Sequence, residues 1–331
     1  MNPMAPSKDP LDRLAGRIDW IELVTSFACN CRCRVCSSGL LEGSPALTGG
    51  EMAAWLAKGR KLGAVNLWLG GGEPTLHKDL LRTIGLARHL GYQRIRLQTN
   101  GLRLAYPSYV DALVRAGLTE AALSVMGWDA KSHDGMTRRA GTWDLMAKAA
   151  DNVRAAGIRL EADVLLTKPL LAHLPGLVGD LAERGAQGLT FWLVSLHGAP
   201  EGKDVVRLIP ALGKLRPALR KAFAKAQACG LPATSLHTPP CSLAPEDHER
   251  YVHSAKYRLL VVVPGNAPFL AEHSPMEGGE HPEDLCGKCA LRKECLGLRA
   301  DQLRLFGTAG LTPVRGASRK PARAPRGRRR A

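Results

Sequence analysis

Three cysteines near the start of the chain, Cys29, Cys33 and Cys36, are separated by three and two residues. They follow residues 19–25, an apolar run with the composition of a β-strand. A four-iron cluster takes one thiolate per iron, so three cysteines would leave the fourth iron open to a ligand that is not protein. A structural zinc site and buried loop cysteines are the alternatives, although zinc more commonly uses Cys-x2-Cys pairs. The spacing therefore indicates a metal site with an open position.

A glycine turn with a carboxylate follows the next strand-like run, residues 64–69. Gly71 and Gly72 would let the backbone approach a ligand closely, because glycine has no Cβ. Glu73 would accept a hydrogen bond from an ammonium group or anchor the turn, and a plain glycine-proline turn ending at Pro74 is the alternative. Two further polar residues belong to the ends of later strand-like runs: Asn100 after the third and Ser124 on the fourth.

A second cysteine group lies towards the other end of the chain, with members at Cys241, Cys286, Cys289 and Cys295. Four cysteines suffice to ligate one [4Fe-4S] cluster or one tetrahedral zinc ion. Tight cysteine groups in a chain without an export signal favour metal over disulfides. Cys229 stands alone, and we predict a buried helix residue there.

These motifs need elements that position them. From residue 20 to about residue 196, apolar β-type runs alternate with longer helical runs, which predicts six βα units around a parallel sheet. In such folds the reacting groups lie at the carboxyl ends of the strands, where the cysteines, the glycine turn and Asn100 fall. His197, after the sixth strand, is a candidate to face substrate. The predicted strands end near Thr25, Leu69, Thr99, Val125, Leu166 and Val194.

At these residues the chain resembles the radical S-adenosylmethionine (SAM) superfamily, whose signature is this cysteine spacing followed by a Gly-Gly-Glu turn after the second strand. The resemblance extends to Asn30 and to the Thr-Asn-Gly sequence at residues 99–101. It implies an α/β fold, a partial (β/α)6 TIM-like barrel, in which a [4Fe-4S] cluster chelates SAM; Cys31 falls outside the spacing and is expected to be a bystander. The implied cluster ligands are Cys29, Cys33 and Cys36. The implied SAM-contacting residues are Gly71, Gly72, Glu73, Pro74, Asn100 and Ser124.

The loop after strand four resembles the Ser-x-Asp-Gly, His-Asp and Gly-Ser-Phe segments of radical SAM enzymes that modify peptides. Met126 stands where those proteins usually have Asp, so no role is carried over to it. Arg138 or Arg139 would pair with the SAM carboxylate, since a guanidinium forks onto a carboxylate; a solvated basic loop is the alternative. The matching segments are residues 124–127, 133–134 and 141–143.

The second cysteine group resembles the SPASM or twitch extension of radical SAM enzymes, which holds an auxiliary [4Fe-4S] cluster. The resemblance implies four ligands, Cys241, Cys286, Cys289 and Cys295, while a structural zinc site with the same four stays open. The chain then divides into an N-terminal extension at 1–17, the barrel at 18–210, a linker helix with a Cys-rich domain at 211–311, and an Arg-rich tail at 312–331.

The net charge of +16 is concentrated at one end, since residues 315–331 hold seven Arg, one Lys and no acid. We predict a disordered tail that binds nucleic acid or an acidic partner non-specifically, or is simply solvated. No apolar stretch approaches the roughly 18–20 residues that a bilayer requires, and the first residues lack the apolar core of a signal peptide. These features predict no membrane partner and a cytoplasmic protein.

The leading hypothesis is a radical SAM enzyme that reductively cleaves SAM at a [4Fe-4S] cluster and applies the 5′-deoxyadenosyl radical to a peptide or small molecule. Peptide maturation is the first interpretation, and cyclisation or oxidation of a nucleotide-like small molecule is the second. A zinc-dependent basic nucleic-acid-binding protein and an iron-sulfur electron carrier are the rivals. The expected partners are a flavodoxin- or ferredoxin-type electron donor and, because only about 17 residues precede strand one, a separate peptide-recognition protein. The sequence assigns no catalytic residue.

Overall fold

A computed structural model of the protein describes residues 10–36, 43–195, 203–274 and 277–316. Two sequence predictions, His197 and the greater part of the Arg-rich tail, lie outside the described residues. Both cysteine groups, the glycine turn and all six predicted strands lie within them.

The described chain contains a large sheet and a short strand pair. Its strands are β1 (Trp20–Val24), β2 (Asn66–Gly70), β3 (Arg94–Thr99), β4 (Glu120–Val125), β5 (Arg159–Leu166), β6 (Gly188–Leu193), β7 (Ala233–Leu236), β8 (Tyr251–Val252), β9 (Leu259–Val262), β10 (Phe269–Leu270), β11 (Gly279–Glu280) and β12 (Leu298–Arg299). The order in the large sheet is β10-β9-β1-β2-β3-β4-β5-β6-β7-β8. All neighbours are parallel except β10, which runs antiparallel to β9. Strands β11 and β12 pair antiparallel with each other.

Helices alternate with the first six strands, as the sequence predicts. They are α1 (Gly49–Leu62), α2 (Leu80–His89), α3 (Pro107–Ala116), α4 (Ala130–Thr137), α5 (Thr142–Ala155), α6 (Leu174–Glu183), α7 (Lys203–Leu208), α8 (Arg216–Ala228), α9 (Glu283–Cys286) and α10 (Ala300–Phe306). Each of the six predicted strands ends within one residue of its predicted position, so the α/β class and the parallel order are confirmed. None of the described helices is both long and apolar enough to cross a bilayer.

The sheet is curled, because side chains from distant strands meet on one of its faces. Trp68 on β2 and Trp192 on β6 lie edge to face with their ring centroids 6.0 Å apart. Arg96 on β3 reaches past β4 to Asp163 on β5, at 2.9 Å. Such contacts require a concave face, so the sheet is a partial barrel with the helices outside, as the resemblance implies.

The two faces of the sheet differ in chemistry because successive side chains of a strand point to opposite sides. Ile21 and Leu23 of β1 are fully buried in the main apolar core beneath the helices, together with Leu67 and Leu69 of β2. Glu22 lies between Ile21 and Leu23 in β1, so its side chain points to the concave side. The convex side stabilises the barrel by apolar burial, and the concave side carries the polar groups.

Local signals in the sequence set the helices that surround the site. Thr48 and Glu51 form a capping box at the start of α1, which follows the cysteine loop in the chain. Gly63 ends α1 at φ 106, a left-handed conformation that favours glycine. Asp129 caps α4, with its side chain accepting a hydrogen bond from the Ser132 backbone N–H. These caps fix where α1 and α4 begin. They therefore also fix where the loops that precede these helices end.

The segment after residue 210 adds strands to both edges of the sheet. Strands β7 and β8 extend it beyond β6, and β9 with β10 extends it beyond β1. The predicted boundary at residue 211 stays a prediction, and the chain beyond it shares the sheet with the barrel.

Candidate functional site

The first cysteine loop leaves the carboxyl end of β1 and is held in place by the end of α4. Two backbone N–H groups of the loop, from Arg32 and Arg34, donate to the carbonyls of Thr137 and Met136 at 3.1 and 2.9 Å. Three of its cysteines are partly exposed and one is buried. The exposed three are Cys29, Cys33 and Cys36, the predicted ligands, and the buried one is Cys31.

The thiols of the loop lie close enough to affect one another's ionisation. Burial raises the pKa of Cys29 to about 11, and nearby Glu73, Cys31 and Cys36 add to the effect. A hydrogen bond with Cys31 is the larger cause that raises the pKa of Cys33, and burial is the second cause. The same hydrogen bond lowers the pKa of Cys31. Cysteines bind metal as thiolates, and the negative charges of neighbouring thiolates repel one another. A positively charged metal centre would relieve this repulsion.

The donor set of the loop, three partly exposed thiols, fits an iron-sulfur cluster. A cluster takes one thiolate per iron, so its ligands need not meet at one atom. Cys29, Cys33 and Cys36 would hold such a cluster, with one iron left without a cysteine.

The glycine turn after β2 is built onto the backbone that leads into the cysteine loop. The Gly72 N–H donates to the carbonyl of Ser26 at 2.8 Å, and the Glu73 N–H donates to that of Ala28 at 2.9 Å. Gly71 has φ 117, and a Cβ there would lie 2.4 Å from the Ser26 carbonyl oxygen. A Cβ on Gly72 would lie 2.4 Å from the Ala28 carbonyl oxygen. The close approach that these glycines permit is therefore to the cysteine loop itself.

Replacing Gly72 by alanine is expected to push the turn away from residues 26–28, because a backbone carbonyl cannot rotate out of the way as a flexible side chain does. We expect Gly72→Ala to lower the free energy of unfolding by about 2 kcal/mol and to reduce iron uptake. Thermal unfolding and iron per chain after anaerobic reconstitution measure both effects. Gly85→Ala is the matched control, since a Cβ at this α2 position meets no atom within 4 Å. Equal iron content and equal stability in the two variants would contradict this account of the turn.

Glu73 anchors the turn rather than facing outward. Its side chain is fully buried, and its Oε1 accepts hydrogen bonds from the Thr75 backbone and hydroxyl and from the Thr99 hydroxyl, at 3.1, 2.6 and 2.7 Å. Its Oε2 accepts from the Asn100 backbone N–H at 2.8 Å. Burial raises the pKa of Glu73, and these hydrogen bonds partly offset the rise. Of the two roles open from the sequence, the structure shows anchoring, and Pro74 begins the short 3-10 helix behind it.

Asn100 joins the third strand to the cysteine loop. Its Nδ2 donates to Oδ1 of Asn30 at 2.7 Å and lies 3.7 Å from Sγ of Cys31, and its Oδ1 accepts from the Leu102 N–H at 3.1 Å. The structure thus brings together the cysteine loop, the glycine turn and Asn100. Ser124 is half-buried one residue before the end of β4, and the described hydrogen bonds do not join it to this group.

The loop after β4 supports the cysteine loop. Arg139 donates from Nη1 to the carbonyl of Asn30 at 2.6 Å, so this guanidinium holds the loop. Asp134 accepts from the backbone of Gly141 and Trp143, at 2.6 and 2.9 Å, and so ties the end of α4 to the start of α5. Burial lowers the pKa of the neighbouring His133 to about 4. The His-Asp segment that resembles peptide-modifying enzymes is therefore part of the scaffold here, and Arg138 ends α4 in a left-handed conformation.

The second cysteine group also comes together in space. Its four thiols line one cavity with about 330 Å³ of empty space, its open mouth included. Burial, with the other three cysteines adding to it, raises the pKa of Cys241 to about 12. Arg216 donates to the Cys241 carbonyl at 2.8 Å, and the Gly297 N–H lies 3.3 Å from Sγ of Cys295. The members are Cys241, Cys286, Cys289 and Cys295.

Cys229 is exposed, so the prediction of a buried helix residue is wrong. Cys229 directly follows the last residue of α8. The buried side of that helix is formed by other residues. The apolar neighbours in the sequence do not bury it, because the helix ends one residue earlier and Gly230 turns the chain away at φ 65.

The double variant Cys286→Ser/Cys289→Ser is expected to lose one of two clusters. Because each [4Fe-4S] cluster carries four irons, the iron content should fall from about eight to about four per chain. Metal analysis and sulfide determination on anaerobically reconstituted protein measure the loss, with the exposed Cys229→Ser as control. Stoichiometric zinc and about four irons in the unaltered protein would instead identify a structural zinc site.

Sequence reasoning missed the polar groups on the concave face. Arg96 lies over the ring of Trp68, 4.9 Å from its centroid, and forms ion pairs with Asp163 at 2.9 Å and Glu120 at 3.0 Å. Gln98 donates to the same Asp163 at 2.8 Å. Charged residues at alternate positions of apolar strands are the signal that would have found this face.

Comparison with known proteins agrees with the geometry. Residues 23–171 match the family described as the Radical SAM superfamily. The chain is 28% identical over 218 residues to a probable GTP 3′,8-cyclase of Methanopyrus kandleri, covering 63% of this chain and 68% of that protein. It is 27% identical over 188 residues to the mycofactocin maturase MftC of Mycobacterium tuberculosis, covering 54% of this chain and 45% of that protein.

Among solved structures, the fold is similar to that of SuiB from Streptococcus suis. The structure of SuiB bound to S-adenosylmethionine superposes with a TM-score of 0.63 at 18% identity, over 76% of this chain and 60% of that one. SuiB bound to its precursor peptide SuiA gives the same TM-score at 17% identity, over 78% and 60%. The chain therefore spans less than two thirds of MftC and of SuiB. Residues 23–171, which carry the cysteine loop and the glycine turn, therefore match the Radical SAM superfamily, and the curled parallel sheet has the fold of the SuiB structures.

Proposed function

We propose that this enzyme cleaves SAM reductively and uses the resulting radical to modify a peptide. Enzymes of this superfamily use a [4Fe-4S] cluster and SAM as cofactors, and an auxiliary cluster agrees with the SPASM-type relatives. When bound, the reduced cluster supplies the electron that splits SAM into methionine and a 5′-deoxyadenosyl radical. The observation that carries the proposal is the set of three partly exposed thiols, Cys29, Cys33 and Cys36, at the mouth of the barrel.

The residues around the cysteine loop hold its three partly exposed thiols in place. The Glu73 carboxylate draws the hydroxyls of Thr75 and Thr99 together, which fixes the turn against the cysteine loop. Asn100 and Arg139 both hold Asn30, Asn100 through its side chain and Arg139 through its carbonyl. This support keeps the thiols in place while SAM binds and leaves, because each partner belongs to a strand end or helix end of the barrel.

The four-cysteine cavity supports an auxiliary [4Fe-4S] cluster on Cys241, Cys286, Cys289 and Cys295. Four cysteines suffice to ligate one such cluster, and an auxiliary cluster agrees with the SPASM-type relatives. We assign the cluster to electron transfer with a flavodoxin- or ferredoxin-type donor. A separate peptide-recognition protein stays part of this proposal.

A peptide substrate is supported by two of the relatives named above, a maturase and a protein solved with its precursor peptide. A nucleotide is the second candidate, because the chain is also similar to a probable GTP 3′,8-cyclase over more of its length. The concave face favours the peptide. Glu22 points into it without an ion pair among the described residues, and a triphosphate would place its negative charges against that carboxylate.

The reaction is tested by incubating anaerobically purified, reduced protein with SAM and measuring 5′-deoxyadenosine by chromatography. We expect 5′-deoxyadenosine together with stoichiometric methionine, at a rate that increases when the true substrate is present. Brown, iron-loaded protein that forms no 5′-deoxyadenosine with any reductant would identify an electron carrier. Colourless protein with zinc would identify the nucleic-acid-binding alternative.

A further inference from the structure

Three ring nitrogens on the concave face are buried and have no hydrogen-bond partner among the described residues: Trp68 Nε1, Trp192 Nε1 and His237 Nδ1. Their rings form a chain, with centroids 6.0 Å apart for the two tryptophans and 5.7 Å apart for Trp192 and His237. Buried polar groups in native proteins are nearly always hydrogen-bonded. Three unpaired nitrogens on adjoining rings therefore indicate a place where a ligand supplies the missing partners.

Glu22 lies beside this chain of rings. It is paired in register with Trp68, and both side chains face the concave side. A Cβ on Gly70 would lie 3.0 Å from Glu22 Oε1 and 3.6 Å from Trp68 Nε1, so the carboxylate and the indole N–H meet at this glycine. Gly70 is the last residue of β2, so the two groups lie beside the strand end from which the glycine turn leaves. We call Glu22, Trp68, Trp192 and His237 the inner cluster.

Glu22 differs from the other acidic side chains of the concave face, which have cationic partners. Glu120 and Asp163 share Arg96, at 3.0 and 2.9 Å, and Glu161 pairs with Arg159 at 2.6 Å. The charges that act on Glu22 are those of Arg96, which is already shared between two carboxylates, and of Glu277, which repels it. Glu22 is half-buried, and a carboxylate partly withdrawn from water without a partner is costly, so its retention points to a partner that binds from outside.

We propose that the inner cluster is the substrate site and that it takes a cationic side chain of a peptide, with the ammonium or guanidinium on Glu22 and peptide carbonyl oxygens on the indole N–H groups. This proposal rests on the proposed function and names the substrate class for the same site. A cation between aromatic rings and a carboxylate gains both cation–π and charge-assisted contacts. The two indole N–H groups can only donate, which matches the carbonyl acceptors of a peptide backbone.

His237 would complete the site as a neutral group. Burial, together with the charge of Arg299, lowers the pKa of His237 to about 3. Its Nδ1 lies 3.6 Å from Oε2 of Glu277, which is beyond hydrogen-bond distance. Glu277 instead accepts from the Ser254 backbone N–H at 3.2 Å. The imidazole therefore offers a polar atom to a ligand without adding a positive charge that would repel a cationic side chain.

The test uses cluster-reconstituted, SAM-loaded protein and isothermal titration calorimetry with three probes. They are acetyl-Gly-Lys-Gly-amide, the uncharged acetyl-Gly-norleucine-Gly-amide, and GTP. We expect the lysine probe to bind at least about tenfold more tightly than the norleucine probe, because a charge-assisted contact is lost in the latter. In Glu22→Gln this preference should shrink to about twofold or less, and GTP should bind more weakly than the lysine probe to the unaltered protein. The matched control is Glu183→Gln, an exposed residue of α6, which should keep the full preference.

The outcomes separate this proposal from the reaction on which it rests. Equal binding of the lysine and norleucine probes, no binding of either, tighter binding of GTP, or a preference that survives in Glu22→Gln would each overturn it. If 5′-deoxyadenosine forms in both proteins while the lysine preference is absent, the inner cluster fails as a cation site and SAM cleavage stands. If the preference is present and lost in Glu22→Gln but no 5′-deoxyadenosine forms, the cation site stands and the proposed reaction fails.

Discussion

Cys33→Ala will reduce the formation of 5′-deoxyadenosine from SAM to background, at least about a thousandfold below the unaltered protein. The reason is that two remaining cysteines cannot hold a cluster whose fourth iron must also stay open for SAM. Cys33 is central to the loop, since its thiol is within the influence of Cys29, Cys31 and Cys36. The measurement is 5′-deoxyadenosine per chain after anaerobic reconstitution and reduction.

Cys31→Ala is the matched control, because it removes a thiol from the same loop. Cys31 is buried, with Asn100 Nδ2 3.7 Å from its sulfur, and its loss should change the rate by no more than about threefold. An active Cys33→Ala variant would refute the ligand assignment. A Cys31→Ala variant that is as inactive as Cys33→Ala would show that the ligands follow another register of the loop.

Glu22→Gln will make the protein more stable in weakly alkaline solution. Burial raises the pKa of Glu22 from 4.5 to about 7, with Arg96 lowering it and Glu277 raising it. Between these two pH values the unfolded chain has released the proton while the folded protein still holds it, so the unaltered protein loses stability as the pH rises. The difference between the two pKa values corresponds to a loss of about 3 kcal/mol in the free energy of unfolding. The glutamine variant does not undergo this loss.

The comparison is made by chemical denaturation of both proteins at pH 5 and pH 8. The free energy of unfolding of Glu22→Gln, minus that of the unaltered protein, should be about 3 kcal/mol larger at pH 8 than at pH 5. Other titrating groups are present in both proteins and cancel. Glu183→Gln, which removes an exposed acid of α6, is the charge-matched control. A Glu22→Gln variant whose stability difference from the unaltered protein is the same at pH 5 and pH 8 would contradict the account.

A carboxylate that costs stability in this way is typical of a functional site. The inner cluster combines it with unpaired indole and imidazole nitrogens on a face where Glu120 and Asp163 are paired with Arg96. Natural proteins retain such local conflicts where binding or catalysis requires them. We therefore expect the stabilised Glu22→Gln variant to be the one that handles its substrate less well.

The strands and the metal loops were predictable because their signals are local. Each of the first six strands is an apolar run bounded by turn residues, and all six ends lie within one residue of their predicted positions. The cysteine spacing predicts the ligands of the loop, and that assignment stays a prediction; the three predicted ligands are the partly exposed thiols of the loop. The strands beyond β6 were not predicted, since they have only two to four residues and their place depends on the edges of the sheet.

The inner cluster was not predictable because it depends on register and curvature. Trp68 and Trp192 are 124 positions apart in the sequence numbering and meet only because the sheet curls. The same holds for the glycine turn: its sequence indicated a close approach, and the partner of that approach, the backbone of residues 26–28, is a tertiary feature. Periodicity identifies which side chains share a face, while the distances across the partial barrel follow from the curl of the sheet.

The most direct test of an open iron is Mössbauer spectroscopy of the Cys286→Ser/Cys289→Ser variant, reconstituted with iron-57 so that only the first cluster contributes. SAM should shift the signal of one iron in four, because only the iron without a cysteine can accept its amino and carboxylate groups. Four irons whose signals stay unchanged when SAM is added would contradict the account, since every iron would then be saturated by protein.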